Sequence, residues 1–147
     1  MSLRIRPLLP ADRTDWEALW QGYLTFYESS VADEITARTF ARLTDPDHKT
    51  RAAFVAEVDG RLVGFTHYIF HEHNWHIEDV TYLQDLFVLP DVRGTGAGRA
   101  LIEAVYEAAD QNGTPTVYWM TQAFNTTART LYDQVATLTP FIKYARS

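Results

Sequence analysis

The sequence predicts a mixed α/β domain, a mostly antiparallel sheet with helices on both faces, and three observations carry that prediction. Two apolar runs, Ala53–Val58 and Arg61–Phe65, are separated by Asp59-Gly60, a pair that supplies the positive φ angles of a tight hairpin. The run Leu86–Leu89 leads through Pro90 and a glycine-rich turn into a helical stripe, Leu101, Ile102, Val105, Ala108 and Ala109. A further strand-like run follows at Thr116–Met120. A strand–helix–strand unit of this kind closes as a parallel crossover. Finally, Trp16, Leu19, Trp20, Tyr23, Phe26 and Tyr27 recur at helical spacing and form one aromatic face, the mark of a helix laid on a sheet.

The elements follow in order. Leu3–Pro7 alternates like a short first strand ending in proline. A helix begins at Pro10-Ala11-Asp12 and carries the aromatic face, which reads as core, with part of its far end able to line a pocket. Glu28–Glu34 is a polar break. A second helix spans Thr36–Leu43, and Asp45-Pro46 stops it. The hairpin comes next, with its second strand continuing through Phe70. The loop from His71 to His76 leads to the strand that ends at Leu89. After the central helix, closed by Gly113 and Pro115, come the Thr116–Met120 strand, a helix from Asn125 through Leu131, Tyr132 and Val135, and a last strand at Phe141–Tyr144.

The 147 residues suit one domain, residues 1–147, with a real core. No apolar run is long enough to span a bilayer, no signal-peptide pattern opens the chain, and there is no cysteine. Disulfides, a thiol nucleophile and cysteine metal sites are therefore excluded. No membrane association and a cytoplasmic location are expected. A net charge of −6 argues against nucleic acid as a partner, since that binding depends on Lys and Arg neutralising phosphates. It is compatible with a cationic substrate.

The chain is organised around Arg93-Gly94-Thr95-Gly96-Ala97-Gly98. A glycine-rich turn at a helix N-terminus aims unpaired N–H groups and a positive dipole end at one point. Arg93 adds a cation, and the result is a cradle for phosphate or pyrophosphate. A nucleotide P-loop needs Lys then Ser or Thr after the last glycine, and here Arg99-Ala100 follows. A nicotinamide-dinucleotide fold needs the glycines directly after the strand and an acidic residue at the next strand end. Pro90–Arg93 intervenes, and the next strand ends Met120-Thr121-Gln122.

The same stretch resembles the Arg/Gln-x-x-Gly-x-Gly/Ala signature of the GNAT acetyltransferases. The resemblance extends to Leu86-Phe87-Val88 before it, to Asn125, Ala128, Leu131 and Tyr132 after it, and to the element order over nearly the whole chain. Tyr82–Val88, with Gly64-Phe65, Tyr68 and Phe70, is similar to the diamine acetyltransferases. Val135-Ala136 and Pro140–Tyr144 are similar to the yeast histone/D-amino-acid acetyltransferase subfamily.

The resemblance implies a GNAT fold whose sheet splays at the cofactor strand pair. It implies acetyl-CoA as co-substrate, with its pyrophosphate on Arg93, Gly94, Thr95, Gly96, Ala97, Gly98 and Arg99. The pantetheine would pair with the backbone of Phe87 and Val88, and Asn125 would reach the same arm. Tyr132 would protonate the departing thiolate. The diamine enzymes carry paired carboxylates where this chain has Gln84-Asp85, so Asp85 is the remaining candidate for the base. The implied reaction is N-acetylation of a small amine by direct attack. A lysine-tail acetyltransferase and a non-catalytic acyl-CoA-binding regulator are the alternatives, and a homodimer through the C-terminal end is expected. His71, His73 and His76 match no metal-binding spacing, and no metal is expected. Glu72, Glu78, Asp79, Asp33 and Glu34 fall in segments the family uses for its acceptor.

Overall fold

The structure is a computed structural model that describes residues 2–147. The strands are β1 (Leu3–Pro7), β2 (Arg51–Val58), β3 (Arg61–His71), β4 (Val80–Val88) and β5 (Val117–Tyr118). The helices are α1 (Arg13–Phe26), α2 (Asp33–Thr44), α3 (Ala97–Asn112) and α4 (Thr126–Val135). The strands lie in the order β1-β2-β3-β4-β5. β1 to β4 are antiparallel and β5 joins β4 in parallel.

Local chemistry explains the main junctions. Asp59 and Gly60 take φ of 50° and 83°, the turn geometry their sequence demands. Asp12 accepts from the Leu9 N–H at 2.8 Å and from both guanidinium nitrogens of Arg6 at 2.8 and 2.9 Å. That fork–fork pair ties β1 to the 3-10 turn Pro10–Asp12 and so sets where α1 begins. α2 starts three residues before the expected Thr36, which brings Asp33 and Glu34 into its first turn, where the helix dipole favours them.

Two cores flank the sheet. On one face α1 and α2 bury Trp16, Leu19, Trp20, Leu24, Phe40 and Leu43 against Val55, Phe65 and Phe87. On the other, α3 buries Leu101, Ile102 and Val105 against Val63, Tyr68 and Leu83, with Leu131, Tyr132 and Val135 of α4 packed beside them. The Tyr106 hydroxyl donates to the Val135 carbonyl at 2.8 Å and holds the end of α4 to α3.

Three features shape the site. β5 is shorter than the expected Thr116–Met120, and its pairing with β4 consists of Thr81↔Val117 and Tyr82↔Tyr118. Beyond those residues β4 runs on with one edge open, which is the splay. Next, the register passes from His67↔Asp85 to Tyr68↔Leu83, leaving Gln84 as a bulge. The extra residue shifts the phase of the strand: Leu83 packs on the α3 side, whereas Asp85 meets residues of α1. The third is a correction. The strand expected at Phe141–Tyr144 does not form, and residues 137–147 carry no helix or strand. The physical reason is the partner: a two-residue edge strand offers almost no ladder for another strand to extend.

Candidate active site

A cleft of about 350 Å³ opens where β4 and β5 part. Phe87 and Val88 line one wall, Arg93, Gly94, Gly96, Ala97, Gly98 and Arg99 the mouth, and Asn125, Ala128, Leu131 and Tyr132 of the α4 segment the other wall. Phe26 and Tyr27, the far end of the α1 aromatic face, close it.

Gly94 and Gly96 hold φ of 87° and 88°, which side chains with a Cβ rarely adopt. Gly96 is the N-cap of α3 and has no side chain to cap it. The first intrahelical bond runs from the Ala100 N–H to the Gly96 carbonyl. The N–H groups of Ala97, Gly98 and Arg99 are thus left without helical partners at the mouth of the cleft. That is the donor set a pyrophosphate needs, and a Cβ at Gly94 or Gly96 would meet nothing within 4 Å, so the mouth is open above the donors.

The side chains around the cradle have separate tasks. The Thr95 hydroxyl turns back to the Val92 carbonyl at 2.7 Å and locks the turn; Thr95 is absent from the cleft lining. Arg99 bonds Gln134 and lies 3.8 Å from Glu103, so what it offers the cleft is its backbone. The Arg93 guanidinium lies 5.5 Å from the Phe26 ring centroid, and its Nε donates to the Val88 carbonyl at 3.3 Å.

The strand register decides which backbone groups face the gap. The Leu89 N–H donates to the Val63 carbonyl at 2.9 Å. Antiparallel pairs alternate, so Phe65–Phe87 is also a hydrogen-bonded pair and the backbone of Phe87 is spent inside the sheet. A Cβ at Gly64 would come within 2.7 Å of the Phe87 carbonyl oxygen, which confirms its direction. Leu86 and Val88 point their amides to the open edge. Val88 therefore offers the cleft its backbone and Phe87 its ring, while Leu86 supplies a second free amide that sequence reasoning passed over.

Asn125 occupies the N-cap position of α4 but makes no cap bond; its Nδ2 donates to Thr121 at 3.3 Å. The Tyr132 ring meets Trp119 edge-on at 5.4 Å. Tyr132 lines the cleft, and its hydroxyl has no hydrogen-bond partner among the described residues. Burial, with a lesser contribution from the Tyr27 phenol, pushes Tyr132 up to about 12, so at neutral pH it keeps its proton.

Asp85 lies on the α1 face, outside the cleft lining. One of its oxygens accepts from the Tyr23 hydroxyl at 2.7 Å, the other faces His67 Nδ1 at 2.9 Å. The far nitrogen of His67, Nε2, faces the Trp16 indole N–H at 3.0 Å. An indole N–H can only donate, so Nε2 accepts and Nδ1 carries the proton given to Asp85. Tyr23, Tyr27 and Tyr82 are all raised by burial and, next, by charge that includes Asp85. His67 and Tyr23 carried no sequence signal as site residues, because only the β3–β4 register brings His67 to Asp85 and only the packing of α1 on the sheet brings Tyr23 there. Among the described residues no cluster of three His, Asp or Glu side chains could hold a metal ion. His73 and His76 face each other, while His71 turns to Tyr118.

Comparison with known proteins decides what this arrangement is. The profile of the acetyltransferase (GNAT) family matches residues 16–136. The chain belongs to the GNAT acetyltransferase family. It is 40% identical over 144 residues to the D-amino-acid N-acetyltransferase HPA3 of Saccharomyces cerevisiae, covering 97% of this chain and 89% of that one. It is 30% identical over 132 residues to the N-acetyltransferase YhfO of Bacillus subtilis, covering 90% of this chain and 87% of that one. In fold it is similar to AAC(6')-Iy in complex with the bisubstrate analogue CoA-S-monomethyl-acetylneamine. That match has a TM-score of 0.86 and 21% identity, covering 100% of this chain and 99% of that one. The aminoglycoside N-acetyltransferase AAC(6')-Iy in complex with CoA matches at a TM-score of 0.85 and 21% identity over 99% and 95% of the two chains. This acetyltransferase therefore has the enzyme class and fold that its glycine stretch implied. Among the described residues no helix is long and apolar enough to cross a membrane.

Proposed function

We propose that this acetyltransferase moves the acetyl group of acetyl-CoA to a primary amine of a small molecule, of polyamine or amino acid type, by direct attack on the thioester. The observation that carries the reading is the cleft itself: three free backbone N–H groups at one end and an unpaired phenol raised to about 12 at the other. The N–H groups of Ala97, Gly98 and Arg99 would hold the pyrophosphate, and the amides of Leu86 and Val88 the pantetheine. Arg93 would leave Val88 and add its charge to the phosphates. Tyr132 would give its proton to the sulfur as the carbon–sulfur bond breaks. Asp85 would supply the negative charge that draws an ammonium to the α1 face, and the Tyr23 hydroxyl holds it in place. No cysteine is present to form an acyl-enzyme. HPA3 and the CoA complexes of similar fold support this substrate pair. The reading places the enzyme in the cytoplasm.

A thermal-shift titration with acetyl-CoA, free CoA and NADH tests it. A ligand at a hundred times its dissociation constant adds about 2.7 kcal/mol, several degrees in a domain of this size. A rise with both CoA species and none with NADH is expected. No rise with either CoA species removes the reading. A thiol-release panel of spermidine, D-alanine and a lysine peptide then sorts the acceptor. Preference for the peptide would favour a lysine-tail enzyme, and CoA binding without turnover of any amine a regulator.

The homodimer belongs to the same reading. Phe141, Ile142 and Tyr144 are 74%, 78% and 90% exposed. Phe141 and the loop Glu72–Trp75 bound an open hollow of about 540 Å³. β5 ends the sheet with its outer edge unpaired. A second copy laid along that edge would cover these side chains. The mass in solution at micromolar concentration is expected to be that of two chains, falling to one in a Phe141→Asp/Ile142→Asp variant. A monomeric parent sinks the dimer.

A further inference from the structure

The acceptor amine reaches the enzyme as an ammonium and must lose a proton before it can attack. Two imidazoles stand on the α1 face of the sheet near the splay, and their partners separate them. His67 is 3% exposed, and its Nε2 is capped by the Trp16 N–H. Both ring nitrogens of His67 are thus taken by fixed partners, and Asp85 behind it already accepts on both oxygens.

His71, at the end of β3, is partly exposed and differently wired. Its Nδ1 lies 2.8 Å from the Glu72 carbonyl, which only accepts, so Nδ1 carries the hydrogen. Its Nε2 is then the acceptor nitrogen, and the Tyr118 hydroxyl donates to it at 2.7 Å. Tyr118 stacks on Tyr82 at 4.8 Å, and this is the last residue pair before β4 and β5 separate. Burial raises Tyr118 above the ordinary phenol range, so it bridges as a hydroxyl rather than resting as a phenolate. The titratable groups around the pair are Tyr82 on β4, Glu72 beside His71, and Asp79, which precedes Val80, the register partner of His71.

We propose that Tyr118 and His71 form the proton exit for the acceptor: Tyr118 is the catalytic residue that meets the amine, directly or through one water, and His71 is the base behind it. As an ammonium N–H bond breaks, its proton goes to the Tyr118 oxygen while the Tyr118 proton passes to His71 Nε2. No electrons are gained or lost. His71 returns the proton to solvent. After attack, the second proton lost by the nitrogen balances the one Tyr132 gives to the thiolate. The inference rests on the amine-acetylation reading, but part of its test does not.

That part is the imidazole itself. In the ligand-free enzyme, nitrogen NMR at neutral pH is expected to report His71 as the Nδ1–H tautomer, and the Nε2–H tautomer overturns the proposal. The kinetic part uses the acceptor found by the panel, over pH 6 to 9.5, with His71→Gln, Tyr118→Phe and, as control, His76→Gln. His71→Gln and Tyr118→Phe should lose about a hundredfold in kcat/KM for the amine at pH 7 and recover as pH rises and free amine accumulates. Their thermal shift with CoA should be unchanged, which separates this result from failure of the cofactor reading. His76→Gln should follow the parent. His71→Gln and Tyr118→Phe within threefold of the parent at every pH, or a loss that does not recover with pH, would overturn the relay. Should His71→Gln not fold, Tyr118→Phe, which removes a single oxygen, decides by the same criterion.

Discussion

Tyr132→Phe is expected to cut turnover by a factor of about 10² to 10⁴, the range of a positioned acid or base, while the thermal shift with CoA stays where it was. The ring sits edge-on against Trp119 and packs beside Leu131 and Val135, and phenylalanine keeps those contacts. The hydroxyl has no partner within the described residues, so removing it should leave folding stability nearly unchanged. What is lost is the proton for the leaving sulfur. The pH profile gives a further check. Burial lifts Tyr132 from the usual phenol range to about 12, so its proton is retained well past pH 10. Any alkaline fall in turnover below pH 10 in the parent must then come from another group. The assignment fails if the variant keeps turnover within threefold of the parent with the same acceptor, measured by thiol release.

The cradle was legible in the sequence because its chemistry is local. Six consecutive residues hold the glycines, the cation and the helix start, and the donors are backbone groups that no distant side chain has to supply. The parallel β4–α3–β5 unit was legible for the same reason, as was the Asp59-Gly60 hairpin. Asp85 was harder. Alternation along β4 would carry Leu83 and Asp85 to one face, but the bulge at Gln84 sends them to opposite sides. A bulge is one unpaired residue, and nothing in Leu83-Gln84-Asp85 announces it. His67 was invisible for a related reason: it meets Asp85 only through the register of two strands joined by an eight-residue stretch without regular structure. The last strand failed because an apolar, β-prone segment needs an edge to pair with, and β5 is two residues long.

Trp16→Ala is expected to be the most damaging single truncation on the α1 face, at about 3–5 kcal/mol, or ten degrees or more in melting temperature. Trp16 is fully buried. It stacks on Trp20 at 5.6 Å and touches Phe40 and His67, so alanine leaves a large cavity where α1, α2 and β3 meet. Trp16→Phe separates packing from the hydrogen bond. It restores most of the ring but leaves His67 Nε2 buried without its donor, at about 1–3 kcal/mol. The freed imidazole can then turn, and Asp85 loses the fixed Nδ1–H that holds one of its oxygens. The second effect is functional: the α1 face should weaken in acceptor KM while the cradle, built on the other side of β4, binds CoA as before. A Trp16→Phe variant within about 0.5 kcal/mol of the parent, read from denaturant midpoints at unchanged slope, would mean that the indole N–H contributes nothing and that Asp85 is oriented by Tyr23 alone.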